Sequence, residues 1–259
     1  MVHFYLTDVL TDVAVGDTAR VFGLEARHAS TVARVQIGEV IALGDGKGIV
    51  VQGEVLSTTA ATLAVAVTDV TVTPPREPSL TLVQALAKGD RDEMAVQAAT
   101  ELGVDRIIPW QADRSISRWS GPKAERGLER WQIISREAVK QSKRPWVPVV
   151  SPLADLRDLE TLVTEVRTVI LEPTATDGLG KFVNMLKAPV RGEGGKFRAK
   201  PVPDLAIIVG PEGGVAPREL AALVAAGATP IKLGDEVLRT STAGPAAIAV
   251  LSLLLKRWG

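Results

Sequence analysis

Cysteine is absent from the 259 residues, which excludes disulfides, thiolate metal sites and cysteine nucleophiles. Histidine is scarce: His3 and His28 are the only two, too few for a histidine-rich metal centre, so no metal is expected. No charge of one sign dominates. Thirty basic and 30 acidic side chains cancel, and only local clustering of Lys and Arg could mark a nucleic-acid partner. The sequence does not open on a basic segment followed by an apolar one, and no apolar run reaches the roughly 20 residues of a membrane span. A cytoplasmic chain with no membrane partner is the expectation. Neither Gly-x-Gly-x-x-Gly nor a Gly-Lys-Ser/Thr phosphate loop occurs, which argues against an ordinary doubly wound nucleotide enzyme.

Residues 1–72 read as β-rich. Thr18–Phe22, Val40–Leu43, Gly48–Val55 and Thr62–Val67 are short, β-branched and separated by Gly16-Asp17, Gly44-Asp45-Gly46 and Ser57-Thr58-Thr59, a spacing that suggests a small barrel. One helical interruption runs from Leu24 to Val35, with Leu24, His28, Val32 and Val35 on one face. His28 reads as a partly buried histidine, while Arg27 and Arg34 suit a solvated face as well as an RNA contact. Residues 73–79 contain three prolines and form a stiff linker.

Residues 80–259 alternate strand and helix, predicting an α/β domain whose mainly parallel sheet is covered on both faces. The pattern gives a strand over Leu80–Leu86, a helix over Arg91–Leu102 with Met94, Ala98 and Leu102 as its stripe, and a strand over Val104–Trp110. A long helix follows from Pro122, then a helix capped by Ser151 and Pro152, and a strand over Thr168–Leu171. The stretch 174–204 is rich in glycine and proline and carries Lys181, Lys187, Arg191, Lys196, Arg198 and Lys200; it reads as a mobile basic loop, a disordered insertion in preference to a source of RNA affinity through phosphate contacts. The last helix, Pro245–Arg257, is apolar almost all round and predicts complete burial.

Two turns stand apart. Leu205–Val209 is an apolar strand that ends in Gly210-Pro211-Glu212-Gly213-Gly214, and a second strand ends in Leu233-Gly234, with Leu238-Arg239-Thr240-Ser241-Thr242-Ala243 leading into the final helix. Glycines without Cβ let a ligand approach the main chain and the free N–H groups of a following helix. For the first turn alone a bare strand-to-helix connection is the better explanation, since such short glycine motifs recur by chance. The second turn adds an arginine among apolar residues at a strand's carboxyl end, where open α/β sheets bind ligands.

Together these turns resemble the C-terminal signature of the SPOUT superfamily, and most closely the RsmE-like family that methylates N3 of a uridine in 16S ribosomal RNA. Lys88-Gly89-Asp90, Glu101-Leu102-Gly103-Val104 and the run from Arg136 to Arg144 extend the resemblance, and the first 72 residues look like its PUA-like, RNA-holding barrel. Ser241 is a departure, since the family usually has glutamate there.

The resemblance implies a trefoil-knotted methyltransferase domain, a homodimer, S-adenosylmethionine as cofactor, and 16S ribosomal RNA or the small ribosomal subunit as partner. The cofactor would lie among Leu171, Glu172, Pro173, Gly210, Glu212, Gly213, Leu233, Gly234, Leu238, Ser241, Thr242 and Ala243. Arg239 and Glu212 are the candidate catalytic residues, as fixed cation and proton acceptor, with a structural turn-pin and a helix cap as their alternatives. Arg27, Arg34, Lys88, Arg91, Arg114 and Arg144 are the candidate RNA contacts. A non-catalytic RNA-binding factor in ribosome assembly is the competing reading.

Overall fold

A computed structural model describes residues 2–8, 10–191, 197–198 and 200–258; Lys196 of the basic stretch lies outside the described residues. The chain forms two compact units, Met1–Pro75 with Arg136–Val147, and Arg76–Ser135 with Pro148–Gly259.

The first unit holds β1 (Phe4–Leu6), β2 (Thr18–Phe22), a single helical turn α1 (Gly23–Arg27) widening into a π-turn over His28–Val32, β3 (Val40–Gly44), β4 (Ile49–Thr58) and β5 (Thr62–Val72). They form one sheet in the order β1-β3-β4-β5-β2, antiparallel except for β1 beside β3. Register shifts at Gln52/Gly53 and Val55/Ser57 bend β4 and curl the sheet. Val51 and Val55 then point into a core with Val21, Ile41, Leu43, Leu63 and Val65. The edge strands share no ladder among the described residues; the Thr7 hydroxyl, just past β1, donates to the Arg20 carbonyl of β2 at 3.2 Å instead.

The helical interruption buries a different face from the one its spacing predicts. Leu24 and Val32 are 83% and 68% exposed while Ala26 and Ala29 are sealed, and His28 is exposed rather than partly buried. One α-turn relaxing into a π-turn breaks the 3.6-residue period, and alanine permits the closest approach to the sheet.

The second unit has a six-stranded sheet built from β6 (Leu80–Ala85), β7 (Arg106–Trp110), β8 (Val149–Val150), β9 (Arg167–Leu171), β12 (Leu205–Val209) and β13 (Thr229–Ile231). Its order is β13-β9-β12-β6-β7-β8, parallel throughout. All five residues of β12 are buried, and they alternate between two cores. Leu205, Ile207 and Val209 join the core with α2 (Arg91–Glu101), α3 (Pro122–Ser142), α5 (Leu179–Lys187) and α7 (Thr240–Leu254), whereas Ala206 and Ile208 join the core with α4 (Leu156–Glu165) and α6 (Pro217–Ala226). Each such aliphatic side chain contributes about 1.5–3 kcal/mol over leaving it in water.

Several helix predictions shift. In α2, Met94 is 60% exposed and the inner face is Ala95, Val96, Ala99 and Thr100, because buried Asp92 accepts the Ala87 N–H at 3.1 Å and fixes the helix's rotation. For α4 the cap is Asp155, whose carboxylate accepts from Arg157 and Asp158 N–H in a capping box, not Ser151. The 174–204 stretch contains α5, which buries Leu179, Phe182 and Val183, and an antiparallel pair, β10 (Val190–Arg191) with β11 (Phe197–Arg198). The last helix starts five residues before Pro245 and is not fully buried, since Val250 and Leu253 are 40% and 66% exposed. Among the described residues no helix is long and apolar enough to cross a membrane.

Beyond α7, the side chain of Arg257 is 0% exposed and meets Asp105 at 2.8 Å, while also donating to the carbonyls of Pro78 and Gly103 at 2.6 and 2.8 Å. Asp105 accepts the Leu80 N–H as well, so this pair ties the C-terminal segment to the starts of β6 and β7. Arg257→Ala removes a buried guanidinium and its bonds to two carbonyls and to the half-buried Asp105, and should lower unfolding free energy by about 2–4 kcal/mol in urea titrations; a loss below about 1 kcal/mol would show the pair to be incidental.

Candidate functional site

The carboxyl ends of three neighbouring strands, β13, β9 and β12, open into one cavity of about 410 Å³. Its wall comes from the chain just after each strand: Leu171–Pro173 after β9, Val209–Val215 (without Gly213) after β12, and Lys232–Thr240 (without Asp235) after β13, with Ala243 from α7 and Arg91 from α2. The apolar share is aliphatic and proline; the polar share is largely main chain and charged groups at the rim. This volume lies within the roughly 300–1,000 Å³ of small-molecule sites.

Backbone conformation sets the shape. A Cβ at Gly210 would lie 2.9 Å from Val215 Cγ2 and 3.1 Å from its amide nitrogen, so only glycine lets the turn fold back on itself there. Gly214 has φ +72°, a left-handed conformation that glycine adopts without steric cost. The turn leads into α6, where Pro217 occupies the first helical position. Glu219, almost sealed, accepts the Ala216 N–H at 3.1 Å and the Asp113 N–H at 2.7 Å.

A buried polar relay joins the two signature turns. Gln84, the last but one residue of β6 and fully buried, donates through Nε2 to Thr240 Oγ1 at 2.9 Å. That hydroxyl donates to the Gly210 carbonyl at 2.8 Å. The start of α7, the end of β12 and strand β6 are thereby fixed to one another. In the first turn of α7 the amides of Thr242 and Ala243 donate to the Arg239 carbonyl at 2.8 and 3.0 Å, which fixes the main chain of Arg239 at the helix start.

Glu212 reaches outward. Its Oε1 accepts the Lys88 N–H at 3.0 Å and pairs with Arg91 Nη1 at 3.1 Å. Burial works to raise its pKa, but the hydrogen bonds from its own amide and that of Lys88, then the Arg91 charge, outweigh it and leave the value lowered. The carboxylate is thus held ionised by a cation. The Arg114 guanidinium donates to the Gly213 carbonyl at 2.9 Å, so Lys88, Arg91 and Arg114 all border the same turn. Arg239 lines the cavity, is exposed, and has no ion pair among the described residues.

Of the residues singled out by sequence, Leu171, Glu172, Pro173, Gly210, Glu212, Leu233, Gly234, Leu238, Arg239 and Ala243 meet at this cavity. Gly213, Ser241 and Thr242 are not in its wall; Gly213 faces Arg114, and Ser241 and Thr242 lie in the first turn of α7. Arg27, Arg34 and Arg144 fall in the other unit. Sequence reading missed Val209, Val215, Lys232, Glu236 and Val237 in the wall, and Gln84 behind it. Proximity to the glycine turns would have found the wall residues, but Gln84 lies over a hundred positions away and carried no local signal.

The family profile described as an RNA methyltransferase domain matches residues 75–252. A ribosomal RNA small subunit methyltransferase E from Mycobacterium bovis is 38% identical over 260 residues, covering 98% of this chain and 92% of its own. The Bacillus subtilis protein of the same name is 27% identical over 259 residues, with 97% and 96% covered. A crystal structure of a ribosomal RNA small subunit methyltransferase E from Neisseria gonorrhoeae bound to S-adenosyl methionine aligns with a TM-score of 0.82 at 29% identity, covering 98% of both chains.

Because the Glu212 pKa is depressed in the folded state, its stabilisation is present above the ordinary glutamate value and is lost as pH falls through the lower folded value. Glu212→Gln should therefore cost about 1 kcal/mol at neutral pH, and the difference from the parent protein should shrink in acid, below about pH 4. Paired denaturation curves across pH test this; a gap that stays constant into acid contradicts it.

Proposed function

The chain belongs to the RNA methyltransferase family, and from that membership we propose that it transfers the methyl group of S-adenosylmethionine to N3 of a uridine in the 16S RNA of the small ribosomal subunit. The observation that carries the proposal is the cavity that main-chain reversals build at the ends of β9, β12 and β13. Its glycine-shaped wall and aliphatic lining suit an adenosine, and the names of the relatives supply the RNA.

When bound, the sulfonium supplies an electrophilic methyl carbon and a neutral thioether leaving group. The chain's residues then position the acceptor and exclude water. Leu171, Pro173, Leu233, Leu238 and Ala243 would enclose the nucleoside, and the main chain at Gly210 and Gly234 would approach its polar edges. As the uridine N3–H proton leaves and the N3–carbon bond forms, negative charge spreads onto the flanking carbonyl oxygens. Arg239, which lines the cavity and has no ion pair among the described residues, would be the cation that meets that charge. Glu212, ionised and clasped by Arg91, holds the turn and Arg91 in place; proton acceptance by it would require releasing that contact.

Lys88, Arg91 and Arg114 would contact RNA phosphates beside the cavity, and Arg27, Arg34 and Arg144 would do so in the N-terminal unit. Residues 1–72 would be a PUA-like RNA-holding domain and 73–79 the linker to a trefoil-knotted domain over 80–259. A homodimer in the cytoplasm completes the reading; its support is the exposed apolar stripe of Val250 and Leu253 on α7.

Tritiated methyl transfer to deproteinised 16S RNA and to whole small subunits, followed by nucleoside separation, tests the function. Label is expected in 3-methyluridine. Cofactor binding with no transfer to either substrate would leave only a non-catalytic RNA-binding factor. Arg239→Ala should lower kcat by about 100-fold or more while cofactor affinity stays within about threefold; an unchanged kcat removes Arg239 from the chemistry.

A further inference from the structure

Both histidines of the chain, and its only tyrosine, converge in the N-terminal unit. Tyr5 is 3% exposed. The ring of His3 stacks beside it with centroids 6.3 Å apart, and that of His28 meets it edge-on at 6.3 Å. Together with Lys140, Gln141 and Lys143 they line a cavity of about 320 Å³, which the methyl-transfer chemistry does not use.

Two buried polar atoms here lack partners. The Tyr5 hydroxyl and Glu25 Oε2 are both sealed from solvent and make no hydrogen bond among the described residues. Burial, then the charges of Glu39 and Glu25, pushes the Tyr5 pKa up to about 12, so the hydroxyl is a proton donor at neutral pH. A buried donor left unmade loses its hydration without return.

Charge decides what the cavity can take. Lys140 is already matched by Glu25 at 2.9 Å and Glu137 at 2.7 Å, and Glu39 lies 3.7 Å from His3. These carboxylates leave no excess of positive charge for a phosphate. A neutral, planar ring fits instead: it can stack on the exposed imidazoles of His3 and His28, which Tyr5 backs from the core. Exposed Lys143, which lines the cavity, and the exposed Arg27 and Arg34 of the same unit would hold the flanking phosphates.

We propose that this cavity binds one unstacked base of the RNA substrate, gripped by His3, Tyr5 and His28. The proposal rests on the reading that the chain acts on RNA, and it adds a second, non-reacting nucleotide to that contact. Stacking of this kind is tolerant of sequence, so the site would anchor RNA rather than choose the methylated base.

With one tyrosine and two histidines, ring-labelled full-length protein gives three assignable sets of NMR signals. Adding deproteinised 16S RNA fragments or single nucleoside monophosphates should shift all three together, whereas inorganic phosphate should not. His3→Ala and His28→Ala, both at exposed positions, should each weaken RNA binding by about fivefold or more, with cofactor affinity unchanged. RNA binding that leaves the ring signals in place, or equal affinity of both variants and the parent, overturns the proposal, as does an equal response to phosphate alone. Failure of methyl transfer with these shifts intact would instead sink the enzymatic reading and spare this one.

Discussion

The hydrogen bonds that run from Gln84 through Thr240 to the Gly210 carbonyl hold together the parts on which the site depends. Gln84 and Thr240 are buried on β6 and α7, and the Gly210 carbonyl, half-buried, opens the turn after β12. Cut off from water, such bonds cannot be exchanged for solvent, and so they set the distance between the turn after β12 and the start of α7. The parallel sheet brings the strand ends level, the glycines let the main chain fold inward, and the relay keeps the cleft at a width that side chains do not fill.

The same economy explains why so little conventional catalytic chemistry is visible. Several polar groups of the cavity wall are engaged elsewhere: Glu212 holds Arg91 and the Lys88 amide, Lys232 pairs with Asp235, and Thr240 donates to Gly210. A methyl group on a sulfonium is already activated, so alignment and exclusion of water account for most of what the protein must supply. The cavity wall itself balances Arg91, Lys232 and Arg239 against Glu172, Glu212 and Glu236, as the whole chain balances its charges, so charge counting alone does not single out a nucleic-acid partner.

What the sequence made legible was local. The strand Leu205–Val209, its glycine turn and the following Leu-Gly and Leu-Arg-Thr segments could be placed because apolar runs and glycines act within a few residues of themselves. The inner face of α2 could not, since it is decided by buried Asp92 reaching back to Ala87 rather than by hydropathy. Nor could the exposure of Leu24, Val32 and Leu253, because periodicity shows that a face is apolar and not whether anything in the same chain covers it. The α5 helix was hidden by glycine and proline on either side, and Gln84 by its distance along the chain from the turns it joins. Similarly, the convergence of His3, Tyr5 and His28 with the end of α3 depends on tertiary packing alone.

The most direct test of the account is the affinity of S-adenosylhomocysteine for Gly210→Ala, measured by calorimetry beside a thermal melt. A Cβ there meets Val215 at 2.9 Å and must push the turn apart, so a main-chain-moulded pocket predicts a loss of about tenfold or more with the fold retained. Undiminished binding by a well-folded variant would contradict it.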